Sequence, residues 1–195
     1  MKSSNQELKN LKIGFCLTGS YCTFNEAVEA MGELAKDNEV YPVFSQNVAL
    51  TSTRFYDVKE LYADTEKITG RKPVDTIVGA EQFGPSKKLD ILIIAPCTGN
   101  TLGKMANAIT DTSVLMAAKA HLRNNRPVVI AASTNDALSG NAKNIGLLLN
   151  TKNIYFVPMK QDNPIEKERS LVADFSKLRE TVVLAMRGKQ LQPIF

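Results

Sequence analysis

Short runs of apolar residues alternate along the chain with longer amphipathic stretches. Runs rich in Ile and Val are typical of strands that are covered on both faces. Pro42 interrupts the second run and places that strand near an edge of the sheet, because proline has no N–H to donate. The runs predict strands over Lys12–Leu17, Glu39–Phe44, Asp90–Ala95, Pro127–Ala132 and Asn153–Val157.

Amphipathic stretches predict helices between these strands. Apolar residues recur with the helical period over Phe24–Ala35. Thr23 precedes them as an expected side-chain N-cap, with Glu26 three residues later completing a capping box. Leu102–Ile109 and Val114–Leu122 give two further helical segments.

The last helix is predicted from its boundary residues as well as from its period. Asn163 is expected to cap it, Pro164 to occupy its first helical position, and Gly188 to follow its end. Its expected buried face consists of Leu171, Val172, Phe175, Leu178, Val182 and Met186.

The alternation of strands and helices predicts the α/β class. The expected architecture is a doubly wound parallel sheet with helices on both faces, the three-layer sandwich of flavodoxin-like and Rossmann-like proteins. A length of 195 residues suits a single domain over residues 1–195, with a polar N-terminal extension over residues 1–10. Ligands bind such sheets beyond the carboxyl ends of the strands, so the loops after the strands are the expected functional positions.

Polar, donor-rich loops follow four of the predicted strands and predict a site for a phosphorylated ligand. Hydroxyl and amide groups beside the free N–H groups of a helix start commonly bind anions. A plain turn or helix cap explains any one loop as well, but four such loops at one edge favour a ligand. The candidate binding residues are Thr18, Gly19, Ser20, Ser45, Cys97, Thr98, Asn100, Thr101, Ser133 and Asn135.

Composition narrows the choice of ligand and compartment. The net charge of +4, from 24 basic and 20 acidic residues, favours an anionic ligand, but scattered basic residues predict no nucleic-acid partner. Three cysteines suit a reducing compartment, and with a single histidine no metal site is predicted. Since neither a membrane-spanning run nor a signal-peptide pattern occurs, we expect a cytoplasmic protein without a membrane partner.

The reactive side chains receive mostly structural interpretations. Cys16 lies within a strand and is expected in the core, and Cys22 lies near a helix start without a histidine neighbour to act as base. His121 is expected as a protonated imidazole that complements a helix dipole. No catalytic residue is assigned. Lys104 and Arg54 are the candidate cations for a substrate carboxylate.

The segment Pro96–Asp111, together with Thr18–Ser20 and Ser45, resembles the flavoprotein superfamily of flavin-containing cysteine decarboxylases. That superfamily has a Pro-Ala-Ser-Ala-Asn-Thr-like segment followed by a Lys-x-Ala-x-Gly-x-x-Asp-like helix. The resemblance implies an FMN cofactor, or at least a phosphate site, and a homo-oligomer. The FMN-site residues that it implies are Gly19, Ser20, Ser45, Thr98, Asn100 and Thr101.

Two features of the decarboxylases are missing from this chain. Of their Pro-x-Met-Asn clamp only the asparagine is kept, at Asn135, and Ala137-Leu138 replaces the Met-Trp half of the motif. Their histidine in the segment after the first strand is also missing, so the resemblance does not imply decarboxylation of a cysteinyl peptide.

Over its whole length the chain is more similar to one subunit of a two-subunit oxidoreductase in this superfamily. This similarity implies an anionic small-molecule substrate and a dehydrogenase-like partner subunit, with a chain that is inactive alone. Two alternatives stay open: an FMN-dependent decarboxylase or flavin prenyltransferase, and a scaffold subunit that holds no cofactor.

Overall fold

The apolar runs form the centre of a seven-stranded sheet in the computed structural model, which describes residues 8–85 and 88–195. Parallel pairing gives the order β2-β1-β3-β4, with β5 beside β4. Two short strands, β6 and β7, continue the sheet from β4 in antiparallel pairing. The strands are β1 Lys12–Leu17, β2 Glu39–Phe44, β3 Ile91–Cys97, β4 Val128–Thr134, β5 Ile154–Phe156, β6 Met159–Gln161 and β7 Leu171–Ala173.

Helices cover both faces of this sheet, which confirms the predicted doubly wound α/β class. Alternate residues of a strand point to opposite faces, so Phe15 and Ile93 pack into one apolar cluster while Cys16 and Ile94 pack into the other. The core position expected for Cys16 is therefore confirmed. The helices are α1 Phe24–Ala35, α2 Gln46–Leu50, α3 Val58–Thr69, α4 Ile77–Glu81, α5 Gly99–Ala106, α6 Ser113–Leu122, α7 Ala142–Leu149 and α8 Leu178–Met186.

β2 is the last of the paired strands on one side of the sheet, as Pro42 predicts. On the side away from β1, Val43 makes an isolated bridge with Val74. The carbonyl of Pro42 accepts from the N–H of Val74 at 2.9 Å, and the N–H of Phe44 donates to the Val74 carbonyl at 2.9 Å. Proline at this edge therefore costs the sheet no interior hydrogen bond.

The predicted last helix is wrong over its first half. The Asn163 side chain accepts from the N–H groups of Ile165 and Glu166, but these residues form only a turn. The chain then enters β7, where Leu171 and Val172 pair with the end of β4. The strand pairing outweighs the local helical period, because tertiary context overrides weak intrinsic propensity. α8 begins only at Leu178.

The start of the chain and the start of α1 also differ from the predictions. Residues 1–7 of the predicted extension lie outside the described residues, and Leu8 is already buried in the core at 1% exposure. Thr23 does not cap α1 with its side chain, because a 3-10 turn over Tyr21–Thr23 precedes that helix. Its hydroxyl donates instead to the Ser20 carbonyl at 3.0 Å. No helix in the described ranges is long and apolar enough to cross a membrane.

The expected protonated state of His121 is wrong, because the end of α6 turns its side chain into the interior. His121 is 1% exposed, and its Nε2 atom has no hydrogen-bond partner among the described residues. Burial, followed by the charge of Arg126, lowers the pKa of His121 to about 4 against the smaller opposing effects of the Pro127 carbonyl and Asp90. The imidazole is therefore neutral at pH 7.

We expect His121 to make the fold acid-sensitive. Its pKa in the folded chain lies below the unfolded value near 6.5, so its contribution to stability is present above that value and is lost as the pH falls toward about 4. Between pH 7 and pH 5 the loss is about 2 kcal/mol. The free energy of unfolding, measured in urea at both pH values, should change less with pH in His121→Gln than in wild type. Carboxylates titrate alike in the two proteins, so an equal change in both would contradict the prediction.

Candidate functional site

The loops after β1 and β3 are joined through the buried side chain of Thr18. Its Oγ1 donates to the Pro96 carbonyl at 2.8 Å and accepts from the N–H of Thr98 at 3.0 Å. The side chain is 1% exposed. Thr18 therefore fixes the relative position of the two loops, and its hydroxyl proton is already committed within the protein.

Thr98 caps the helix that follows β3. Its Oγ1 accepts from the N–H of Thr101 at 3.2 Å and lies 3.0 Å from the Thr101 hydroxyl. The N–H groups of Gly99 and Asn100 belong to the same first turn of α5, where no intrahelical acceptor exists. This turn therefore offers hydrogen-bond donors to an anion.

A cavity of about 330 Å³, here called the polar cavity, lies among these loops. Lys104 and Asp111 also line it, and their side chains pair at 2.7 Å, so the lysine charge is largely neutralised there. Gln46, Asn47 and Thr112 line it as well, although the sequence predicted only Ser45 of residues 45–47 as a binding residue. The predicted residues that line the polar cavity are Thr18, Gly19, Ser45, Thr98, Asn100 and Thr101.

A second cavity of about 540 Å³, here called the wide cavity, adjoins the first, because Gly19 and Thr98 line both. The predicted residues Ser20, Ser133 and Asn135 line it too. Ser20 Oγ donates to Ser133 Oγ at 2.9 Å, which joins the loop after β1 to the end of β4. The structure thus brings nine of the ten predicted binding residues to two neighbouring cavities at one edge of the sheet.

Cys97 is the exception, because its side chain lines neither cavity. It is 0% exposed and packs in the apolar cluster with Leu102 and Val114. Burial raises the pKa of its thiol well above the ordinary range. A strand that is buried on both faces leaves its last side chain in the core even where the backbone reaches the site.

Sequence reasoning missed several side chains of the wide cavity. Phe55 comes from the loop between α2 and α3, and Asp162 and Lys167 come from the segment after β6, which was assigned to a helix start. Lys167 Nζ and Asp162 Oδ2 pair at 2.5 Å. Arg54 lines neither cavity, but its guanidinium lies 4.8 Å from the centre of the Phe55 ring. The Phe55 segment does not directly follow a predicted strand, and the segment with Lys167 was predicted to be helical, which explains the omission.

The loop after β4 is held by a hydrogen-bonded cluster around Asp136. Its carboxylate accepts from the Thr134 hydroxyl at 2.6 Å and from Asn141 Nδ2 at 2.8 Å. Asn144 then donates to Asn141 Oδ1 at 2.8 Å. The Asp136 side chain therefore makes its hydrogen bonds within this cluster and caps no helix. Asn141 is the residue that precedes α7. Across the described ranges, no three His, Cys, Asp or Glu side chains are placed to hold a metal ion.

Comparison with known proteins assigns these features to a family. The family model described as Flavoprotein matches residues 1–185. The chain belongs to the Flavoprotein family. It is 49% identical over 188 residues to the B subunit of dipicolinate synthase from Bacillus subtilis (strain 168), covering 96% of this chain and 94% of that relative. The resemblance inferred from the sequence is thereby confirmed.

Solved structures agree with this assignment. The crystal structure of the B subunit of dipicolinate synthase from Bacillus halodurans C matches with a TM-score of 0.89 and 47% identity, over 97% of each chain. A dodecameric FMN-dependent Ubix-like decarboxylase from Escherichia coli O157:H7 matches with a TM-score of 0.64 and 19% identity, over 92% of this chain and 96% of that one. At that identity the second likeness shows the fold alone.

We expect alanine to have opposite effects at two glycines of this region. A Cβ at Gly99 would lie 2.5 Å from Asn141 Nδ2, 2.6 Å from Thr134 Oγ1 and 2.7 Å from Asp136 Oδ1, whereas one at Gly146 would meet nothing within 4 Å. Gly99→Ala should therefore destabilise the fold by about 1–3 kcal/mol. Gly146→Ala, within α7, should stabilise it by roughly 0.5–1 kcal/mol. Equilibrium unfolding in urea measures the change in the free energy of unfolding for both variants. A Gly99→Ala variant as stable as wild type would contradict the packing argument.

Proposed function

We propose that this chain acts as the B subunit of a dipicolinate synthase in the cytoplasm of sporulating cells. With the A subunit of that enzyme it would oxidise dihydrodipicolinate to dipicolinate. The observation that carries the proposal is the pair of adjoining cavities at the carboxyl ends of β1, β3 and β4, in a chain 49% identical to the Bacillus subtilis relative. The position of these cavities is the one at which doubly wound sheets bind their ligands.

FMN fits the chemistry of the two cavities. The polar cavity supplies the hydroxyls of Ser45 and Thr101 and the first-turn N–H of Asn100, which are suitable donors for a phosphate. The wide cavity adds apolar and aromatic side chains, Phe55 and Val172 among them, suitable for a planar ring. Gly19 and Thr98 line both cavities and would therefore contact the part of FMN that joins its phosphate to its ring.

The proposed oxidation removes a hydride and a proton from the substrate and leaves an aromatic ring. Bound FMN supplies a hydride acceptor. The residues of this chain orient that acceptor. Within the described ranges they offer no evident base: His121 lines neither cavity, and the carboxylate of Asp162 is paired with Lys167. We therefore assign the proton acceptor to the A subunit.

The two candidate cations differ in what they can offer a dianionic substrate. Lys104 pairs with Asp111, whereas Arg54 makes no ion pair among the described residues and lies next to the wide cavity through Phe55. A cation without an ion pair attracts an anion more strongly than a lysine that already pairs with an aspartate. Arg54 is therefore the stronger candidate for attracting a substrate carboxylate to the wide cavity.

Asn100→Asp should weaken FMN binding by roughly tenfold or more, because it places a negative charge in the polar cavity beside the proposed phosphate. Asn25→Asp is the matched control, since Asn25 is exposed in the first turn of α1 and lines neither cavity. Titration with FMN, followed by flavin absorbance and fluorescence, measures both. Equal affinities in the two variants would contradict the placement of the phosphate. A wild-type chain that binds no FMN would favour the scaffold alternative.

The purified chain should form no dipicolinate from dihydrodipicolinate when it is alone, and mixing it with the separately purified A subunit should restore activity. The reason is the missing base described above. Ultraviolet absorbance of the aromatic product follows the reaction, and the isolated A subunit is the control. Full turnover by this chain without the A subunit would contradict the prediction, and release of carbon dioxide from a cysteinyl peptide would favour the decarboxylase alternative.

A further inference from the structure

Phe55 is a large aromatic side chain that stays 48% exposed where it lines the wide cavity. Phe15, Phe24, Phe44 and Phe156 are by contrast 1% exposed or less. A single exposed apolar residue is ordinary on a protein surface, so exposure alone decides nothing. What distinguishes Phe55 is the way in which its loop is held.

Residues 51–57, here called the Phe55 loop, contain a tight turn with Phe55 within it. Thr53 Oγ1 accepts from the N–H groups of Phe55 at 3.2 Å and Tyr56 at 3.3 Å. The N–H of Thr53 donates to the Tyr56 carbonyl at 2.9 Å. The backbone of the turn is thus constrained on both sides of the aromatic residue.

The base of the Phe55 loop is attached to α3. Ser52 Oγ donates to Asp57 Oδ2 at 2.9 Å and accepts from the N–H of Val58 at 3.1 Å. The Tyr56 hydroxyl donates to Asp64 of α3, and the Tyr56 ring packs against the apolar cluster. These contacts already order the backbone of the Phe55 loop in the free protein. Less conformational entropy is therefore lost when Phe55 contacts a ligand.

Arg54 covers one side of the Phe55 ring. Its guanidinium carbon lies 4.8 Å from the ring centre, within the range of a cation–π interaction. A ligand ring can therefore stack on the side that Arg54 does not occupy. A positive charge behind the ring also favours a ligand that carries negative charge.

We propose that Phe55 is a specificity-determining residue that stacks on planar, negatively charged aromatic ligands in the wide cavity. The inference rests on the proposed function for the identity of the ligand. Two molecules of the proposed reaction have this chemistry: FMN, whose planar isoalloxazine ring is joined to a negatively charged phosphate, and pyridine-2,6-dicarboxylate, whose ring carries two carboxylates. Aromatic pairs prefer offset-stacked or edge-to-face arrangements, which favours flat ligands over flexible ones of equal charge.

The test compares Phe55→Leu and Phe55→Trp with the wild-type chain. Phe195→Leu is the matched control, because Phe195 is 65% exposed and lines neither cavity. The full-length chain, alone and mixed with the A subunit, is titrated calorimetrically with FMN, with pyridine-2,6-dicarboxylate and with inorganic phosphate as the probe without a ring. Flavin fluorescence of the FMN complex gives a second readout for Phe55→Trp, because an indole that stacks on the flavin ring quenches it by electron transfer, which a phenyl ring does not. Circular dichroism verifies that each variant is folded.

Phe55→Leu should bind at least one of the two aromatic probes about three- to tenfold more weakly than wild type, with phosphate binding unchanged. Phe55→Trp should bind that probe about as tightly as wild type. Where the probe is FMN, Phe55→Trp should also quench the fluorescence of the bound flavin relative to wild type. Phe195→Leu should behave as wild type.

The two aromatic probes separate this inference from the proposed function. The stacking role would be overturned, and the proposed cofactor left intact, if FMN binds wild type and Phe55→Leu equally, Phe55→Trp does not quench the bound flavin, and Phe55→Leu loses no affinity for pyridine-2,6-dicarboxylate. Failure of FMN to bind wild type, with pyridine-2,6-dicarboxylate bound and weakened in Phe55→Leu, would support stacking and overturn the FMN proposal. If neither aromatic probe binds wild type, both proposals are wrong.

Discussion

The site depends on one buried hydroxyl, that of Thr18. It donates to the Pro96 carbonyl and accepts from the N–H of Thr98, which joins the ends of β1 and β3. Buried backbone groups must be paired, and these two lie beyond Ile94, the last residue of β3 that pairs with β1. Thr18 supplies the missing partner for both. Because Gly19 and Thr98 line both cavities, the geometry that this hydroxyl fixes determines how the polar cavity meets the wide one.

A second hydrogen-bonded group extends this constraint to the end of β4. The Asp136 carboxylate holds Thr134 and Asn141, and these three side chains leave space only for a glycine at Gly99, the first residue of α5. Ser20 adds a direct hydrogen bond to Ser133. The loops after β1, β3 and β4 therefore form one hydrogen-bonded polar layer at the carboxyl ends of the apolar strands. Such a layer keeps its donors in place before a ligand arrives, which lowers the cost of binding.

The sequence was sufficient for the parallel strands and for most of the site, because both depend on local patterns. Buried strands are apolar runs, and in a parallel sheet their carboxyl ends meet at one edge. It was insufficient where contacts between residues distant in the sequence determine the structure. β7 pairs with β4 despite a helical period that includes Leu171 and Val172. Phe55 reaches the site from a loop that does not directly follow a predicted strand. Neither the pairing nor the approach of that loop is encoded in the spacing of nearby residues.

The charges at the two cavities bear on how catalysis would be divided between two subunits if the proposed function holds. Lys104 pairs with Asp111 at the polar cavity, and Lys167 pairs with Asp162 at the wide one, so each cavity carries a nearly neutral pair. Exposed pairs of this kind contribute little to stability, and they also leave little free charge for catalysis. Affinity on this chain must then come from neutral donors, from aromatic contact and from Arg54 beside the wide cavity, all of which orient a ligand without moving a proton. Under the proposed function, the A subunit would supply the group that accepts the proton, and its approach to the wide cavity would complete the site.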